Sequence, residues 1–398
     1  MTPELHTVLA GAAILLAVLT LPGTFWLAVL TLAGLLPPAR PRDVPAGGRI
    51  AIVVPAHNEE SRLPRTLASL QAECRRDGDA AVIVVADNCS DGTAEIARRL
   101  DARVLVRNDL TKRGKGYALD HAFGQLLRED FRYFAVVDAD SELDAGFLDA
   151  IRRHFAAGAD VVQARYTVLN AADSLRTRFM ELALAAFNVL RPRGRAALGF
   201  SAGLLGNGFA LRREVLQALP YAAGSIVEDL EYHLVLVFHG AVVAFADDAR
   251  VRGEMPAAGA GVRQQRLRWE GGRLRMLLEH APGLAADLLR GRGRAAEPLL
   301  DLLLPPLAYH AALLGALALL PLDWARLIGL AGLAVLALHV LAATIVCRLP
   351  ASRLLLLAVA PFYVAWKILL LPATFAAAAR DHPWVRTARE TVREGVRP

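Results

Sequence analysis

The chain begins with a run of roughly thirty residues that carries no charge, Thr7 to Leu36, where a helix needs only about 20 apolar residues to cross a bilayer. Nothing else in the sequence restricts the fold as much, since a helix apolar on every side belongs in lipid or deep inside protein. Further apolar segments lie at about 299–321, 325–347 and 353–379, interrupted by Asp323, Arg326, Arg348 and Arg353. The intervening stretch of about 250 residues mixes apolar and charged positions and is long enough for a domain with its own core. A mean hydropathy of +0.36 agrees with a membrane protein. Glu4 precedes the first run, whereas Arg40, Arg42 and Arg49 follow it. That order is the reverse of a secretory leader and predicts a cytoplasmic middle domain. Three full C-terminal crossings would leave Arg380, Arg386, Arg389, Arg393 and Arg397 outside, against the positive-inside tendency, so whether one segment is re-entrant stays open.

The net charge of +6 is carried almost wholly by arginine, much of it beside the apolar runs. This predicts contact with a membrane surface rather than with nucleic acid. Cys74, Cys89 and Cys347 share no metal-like spacing and suggest no disulfide framework.

The middle region opens with RIAIVVPAHNEESRLPRTLASL, a β-branched run from Ile50 followed by Leu63, Leu67 and Leu70 at helical spacing. AAVIVVADNCSDGTAEIARRL repeats the pattern, and ARVLV, a helix from about Tyr117 and the strand FAVV extend it. Such alternation predicts an α/β domain with a parallel sheet covered by helices on both sides. Its ligands should bind beyond the strand ends, where the polar clusters HNEE, DNCSDGT and DAD fall. The first strand–helix turn contains no glycine, so the dinucleotide fingerprint is absent. In FAVVDADSEL the period of two would put Asp138 and Asp140 on one side, where repulsion calls for a counter-ion. Oxygen ligands at a strand end suit Mg²⁺ or Mn²⁺ shared with substrate phosphates; the other reading is a loop whose aspartates cap the next helix.

Taken together, VVPAHNEE, Asp87 in VADNCSDGT, the DAD of 138–140, Glu228-Asp229 in SIVEDLEYH and QRLRW at 265–269 resemble the family 2 glycosyltransferases. They are similar above all to the membrane-embedded branch with cellulose, chitin and hyaluronan synthases and ceramide glucosyltransferase. The resemblance covers roughly residues 50–275 and implies a GT-A type nucleotide-sugar-binding domain with flanking transmembrane helices. It implies that Pro55, Asn58, Glu59 and Asp87 line the nucleotide pocket. By the same resemblance Asp138 and Asp140 hold Mg²⁺ or Mn²⁺ on the diphosphate, and Asp229 is the general base that activates an acceptor hydroxyl. Val227 stands where the family often has threonine. Ser225 is a possible cap of the helix that carries Asp229. Lys115, in a glycine-bearing loop, either meets the diphosphate or is a solvated basic residue. Gln265, Arg268 and Trp269 share a helical face. There arginine can grip diphosphate and indole can stack on an acceptor, although the surrounding arginines and leucines equally suit an interfacial helix. Asn207, within SAGLLGNGFALRREVL, either touches the acceptor or sits in a plain turn.

The expected organisation is a membrane segment over 1–40, the glycosyltransferase domain over 48–260, interfacial helices with QxxRW over 261–297, two or three membrane spans over 298–380 and a basic tail over 381–398. The expected reaction is inverting transfer from a UDP-sugar to a glycan or lipid acceptor at the cytoplasmic face of a bacterial plasma membrane. Exopolysaccharide synthesis leads, with single transfer to a ceramide- or diacylglycerol-type lipid next and a non-catalytic membrane scaffold as the remote alternative. The tail motif WVRTAR, Trp384 to Arg389, resembles one found in some hyaluronan-type synthases.

Overall fold

The computed structural model describes residues 2–379 except Ala39, Arg40, Arg42, Asp43, Ala223 and Ala258. The basic tail expected over 381–398, with its WVRTAR motif, lies outside the described residues.

The middle of the chain builds one eight-stranded sheet from β1 (Ile50–Ala56), β2 (Ala80–Asp87), β3 (Arg103–Arg107), β4 (Tyr133–Val136), β5 (Ser141–Leu143), β6 (Val161–Val168), β7 (Phe209–Arg212) and β8 (Val243–Gly253). The order across the sheet is β3-β2-β1-β4-β7-β6-β8-β5. Alternation along β1 explains the layering. Ile50, Ile52 and Val54 pack with Leu63, Leu67 and Leu70 of the helix Leu63–Asp77. Ala51 and Val53 face the other way, onto Leu119, Ala122 and Phe123 of the helix Lys115–Leu126. A strand buried on both faces reads as a continuous apolar run, and each enclosed leucine or isoleucine contributes about 1.5–3 kcal/mol.

The expected parallel sheet holds through its first half and for the pair β6 and β8, but not throughout. β3, β2, β1 and β4 are parallel, but β7 enters antiparallel between β4 and β6, and β5 lies antiparallel to β8. The reason is a long excursion after β6 through the helix Leu175–Leu184, a π-helical turn Ala185–Leu190 and the helix Arg191–Ala197, which returns β7 from the opposite end. Asn207 and Gly208 make this return tight: Gly208 has φ +70°, and a Cβ there would lie 2.4 Å from Val251.

Pro3–Gly34, Asp323–Val346 and Ala351–Ala377 are long and apolar enough to cross a membrane. Gly293–Leu303 and Leu307–Leu319, bent by 77°, make a fourth if counted as one broken span. This bend falls in the segment expected at 299–321. The QxxRW residues sit in one helix, Ala260–Leu289.

Candidate active site

Beyond the ends of β1 and β2 the two turns are laced together. The Asn58 amide donates to Ser90 Oγ at 3.1 Å and its Oδ1 accepts from Ser90 N at 2.7 Å. Glu59 N donates to Thr93 Oγ1 at 2.8 Å. Pro55, one residue before the end of β1, lies opposite Val85. Asp87 is buried, with Arg107 Nη1 on its Oδ1 at 2.6 Å and Asn88 Nδ2 at 3.1 Å. Arg107, from the end of β3, was not among the expected site residues; an arginine ending an otherwise apolar strand beside Asp109 was the available signal.

After β4 the chain runs through Asp138, Ala139 and Asp140. Ala139 is buried in the core and its carbonyl accepts from Thr66 Oγ1 at 2.8 Å, while both aspartates line a cavity of about 600 Å³. Both aspartates reach the cavity, but not by strand alternation: β4 has ended at Val136, and Asp138–Ser141 is a turn in which Ser141 N donates to the Asp138 carbonyl at 3.1 Å. Two buried amides shape this turn. Asn207 Oδ1 accepts from Asp138 N at 3.1 Å and its Nδ2 donates to Ser141 Oγ at 2.9 Å. Gln163 Nε2 donates to the Asn207 carbonyl at 2.8 Å and its Oε1 accepts from Leu205 N at 2.9 Å. Asn207 is thus a positioning residue with both ends of its amide engaged. Gln163 was missed, although a glutamine inside the apolar strand VVQARYTV is a visible anomaly.

Lys115, at the start of its helix, bonds Asp138 Oδ1 and the Gly206 carbonyl, with Glu228 Oε1 4.0 Å away. Burial opposes its charge, but Asp138, Glu228 and Asp229 hold its pKa above the ordinary value. The helix Glu228–Phe238 brings Glu228 and Asp229 into the same cavity. No side chain caps this helix, and Ser225, the expected cap, instead donates its backbone N–H to Glu231 Oε2 at 2.9 Å. Asp229 Oδ1 accepts from Leu230 N at 2.9 Å, and burial raises its pKa. Glu228 is pushed up to about 7 by burial and then by the Asp229 charge, against the pull of Lys115.

Gln265, Arg268 and Trp269 line this cavity as well. Gln265 is buried beside Met255, and its Oε1 has no hydrogen-bond partner. Trp269 packs near Met180 and Met255, with the Arg266 guanidinium 5.9 Å from its ring. One residue on, buried Glu270 accepts from Tyr309 Oη at 2.9 Å and meets the Lys367 ammonium of the helix Ala360–Ala377. Among the expected residues, the cavity gathers Lys115, Asp138, Asp140, Asp229, Gln265, Arg268 and Trp269. Pro55, Asn58, Glu59 and Asp87 lie apart from it, on the β1 and β2 turns.

Among the described residues no group of three or more His, Cys, Asp or Glu side chains could hold a metal ion. Two carboxylates are nevertheless what Mg²⁺ or Mn²⁺ takes when substrate phosphates and water complete its shell. The Lys115 ammonium meets one oxygen of Asp138 at the same position.

Residues 45–272 match the model of a family described as Glycosyltransferase like family 2. The Bacillus subtilis (strain 168) protein named Probable glycosyltransferase YdaM is 26% identical over 240 residues, 58% of this chain and 56% of the relative. Beta-monoglucosyldiacylglycerol synthase of Trichormus variabilis is 29% identical over 245 residues, 58% of this chain and 49% of the relative. The chain spans about half the length of the curated relatives it matches. Among solved structures, mannosyltransferase PcManGT from Pyrobaculum calidifontis, in complex with GDP-Man and Mn²⁺, superposes with a TM-score of 0.54 at 18% identity. The alignment covers 94% of this chain and 99% of that one, a likeness of fold.

Proposed function

The chain belongs to the family described as Glycosyltransferase like family 2, and on that premise we propose that it transfers a sugar from a nucleotide-sugar donor, a UDP-sugar, to a hydroxyl of a membrane lipid. One observation carries the choice of acceptor. The cavity that holds Asp138, Asp140 and Asp229 is also walled by Leu336 and Val340 of the helix Asp323–Val346 and by Val364 of the helix Ala360–Ala377. A polar reaction centre continuous with an apolar wall fits an amphiphile, whereas a bare glycan would leave that wall in contact with water. The diacylglycerol-glycosylating relative supports the same reading. On this reading the chain is an integral membrane protein with its sheet domain on the cytoplasmic side.

Asp229 takes the acceptor proton as the hydroxyl oxygen forms its bond to the anomeric carbon and the carbon–oxygen bond to the diphosphate breaks, its electron pair leaving with the nucleotide. A single base with attack from the opposite face inverts the anomeric configuration; a retaining double displacement would need a further nucleophile. Asp138 and Asp140 would hold Mg²⁺ or Mn²⁺, which when bound neutralises the departing diphosphate. Lys115 and Arg268 supply fixed positive charge to the same phosphates, and Asn207 and Gln163 hold the turn that carries Asp138. Pro55, Asn58, Glu59 and Asp87 frame the nucleoside end, with Arg107 orienting the Asp87 carboxylate.

Incubation of the purified protein with a panel of UDP-sugars and membrane lipids tests the proposal. A lipid carrying one sugar is the expected product. A ladder of chain lengths would instead establish the exopolysaccharide synthesis expected from sequence, and no transfer from any nucleotide sugar would refute both.

A further inference from the structure

The cavity has a second polar wall, away from Asp229. Pro192 lacks the N–H that an α-helix would direct at the Asn188 carbonyl, and the chain widens there into the π-helical turn Ala185–Leu190. Such turns are rare and cluster at functional sites. This one leads into a helix on which Arg191 and Arg195 lie one above the other at i and i+4. Arg191 Nη2 reaches Asp301 Oδ1. Arg195 pairs with Glu297 Oε1 at 2.5 Å and lies 3.7 Å from Asp301. Arg273 Nη2 is 3.3 Å from Asp301 Oδ2.

Three guanidiniums thus face two carboxylates, one positive charge in excess, with the Phe187 ring 4.6 Å from Arg191 and the Asp301 and Leu304 carbonyls on Arg273 as the neutral partners that share it. His233 beside them adds none, because burial pushes its pKa down to about 3. Arg191 is 3% and Arg195 6% exposed, and the Nε of each is buried without a hydrogen-bond partner. Cross-bracing of two helices does not call for this surplus, since two arginines would match two carboxylates. An unmet buried donor is costly, and so is a buried charge without a full counter-charge. An anion would relieve both, and Arg191, Arg195 and Arg273 all line the cavity.

We propose that Arg191, Arg195 and Arg273 form a subsite for a phosphate group, which arginine grips bidentately, carried by an amphiphile whose apolar part lies against Leu336 and Val340. The inference rests on the lipid-acceptor reading and narrows it to anionic lipids.

The full chain in a neutral detergent is titrated with a short-chain phosphatidic acid, with the diacylglycerol of the same chains and with inorganic phosphate, and the thermal midpoint is followed. Phosphatidic acid should raise the midpoint, and the other two should bind at least about tenfold more weakly. Arg191→Gln should abolish the response. Asp301→Asn, by removing the internal competitor for the arginines, should tighten it, whereas a merely structural cluster would weaken in both variants. Arg273→Gln, on a less buried side chain, gives the same reading where Arg191→Gln does not fold. Diacylglycerol binding as tightly as phosphatidic acid, or an unchanged response in the arginine variants, overturns the subsite. Inorganic phosphate binding equally tightly overturns the amphiphile as its source. UDP affinity on the same preparation tests the transferase reading separately, so its loss is distinguishable from failure of the subsite.

Discussion

Asp229→Asn separates chemistry from architecture more cleanly than any other change at this site. The amide keeps the volume of the carboxylate and an oxygen for the Leu230 N–H bond at 2.9 Å, so the first turn of its helix loses little. It cannot take the acceptor proton. Removal of a general base costs about 10²- to 10⁴-fold, or about 3–5 kcal/mol of barrier. The neighbouring charges partly readjust. Glu228 sits at about 7 because of burial and the Asp229 charge, so the substitution lets Glu228 ionise more readily and keeps an anion near Lys115. Nucleotide affinity should therefore change little while turnover collapses. Turnover, UDP affinity and thermal midpoint are measured on one preparation, with Glu228→Gln as the neighbour control. Near-normal turnover in Asp229→Asn with none in Glu228→Gln would move the base by one residue. Activity in both would refute the mechanism.

Three further outcomes are expected. Asp140→Asn should remove the Mn²⁺-dependent part of UDP affinity in calorimetry with and without metal, and affinity indifferent to both would end the metal assignment. Gly206→Ala places a Cβ 3.0 Å from Asp229 Oδ2 at φ +76°; the backbone alone costs about 1–2 kcal/mol, and turnover should fall further than that loss of stability accounts for. Wild-type turnover in this variant would show that the carboxylate is not held there for catalysis. Because the folded pKa of Glu228 is raised to about 7 from 4.5, the folded state keeps that proton to higher pH than the unfolded chain. Its stabilising contribution is complete below about pH 4.5 and lost as pH rises through about 7. The thermal midpoint of the wild type should thus fall relative to Glu228→Gln across that window, and parallel pH profiles would contradict the assignment.

What could be read directly from the sequence was local. The β-branched run of β1 and the leucines at 63, 67 and 70 specify a strand and the helix that covers it, and the spacing of Asp138 and Asp140 around Ala139 marks the pair that reaches the cavity, through a turn rather than by strand alternation. Pairings across long separations were hidden. Nothing near Phe209 announces that β7 runs antiparallel between β4 and β6; a strand of four residues takes its direction from the return of the preceding helices. The roles of Gln163 and Asn207 depend on that return, since each becomes a positioning group only once β6, β7 and the Asp138 turn meet. Arg107 and Asp87 are likewise joined by the register of β2 and β3. The arginines at 191, 195 and 273 looked like ordinary basic residues, because their acids lie at 297 and 301, in another helix.

The contact between Glu270 and Lys367 bears on how such a chain comes into being. Glu270 follows Trp269 directly and has Arg266 one turn back at 3.8 Å, yet its closer cationic partner, Lys367, is made almost a hundred residues later, in the last described helix. During synthesis the sheet can close as soon as β8 has emerged, since its strands all precede residue 254. Until that helix is in place, the wall that carries Gln265, Arg268 and Trp269 has, among the described residues, only Arg266 and Tyr309 to set against its Glu270 carboxylate. The cavity wall is therefore completed after the sheet, and a nascent chain halted before Ala360 would hold a folded sheet and an unfinished cavity.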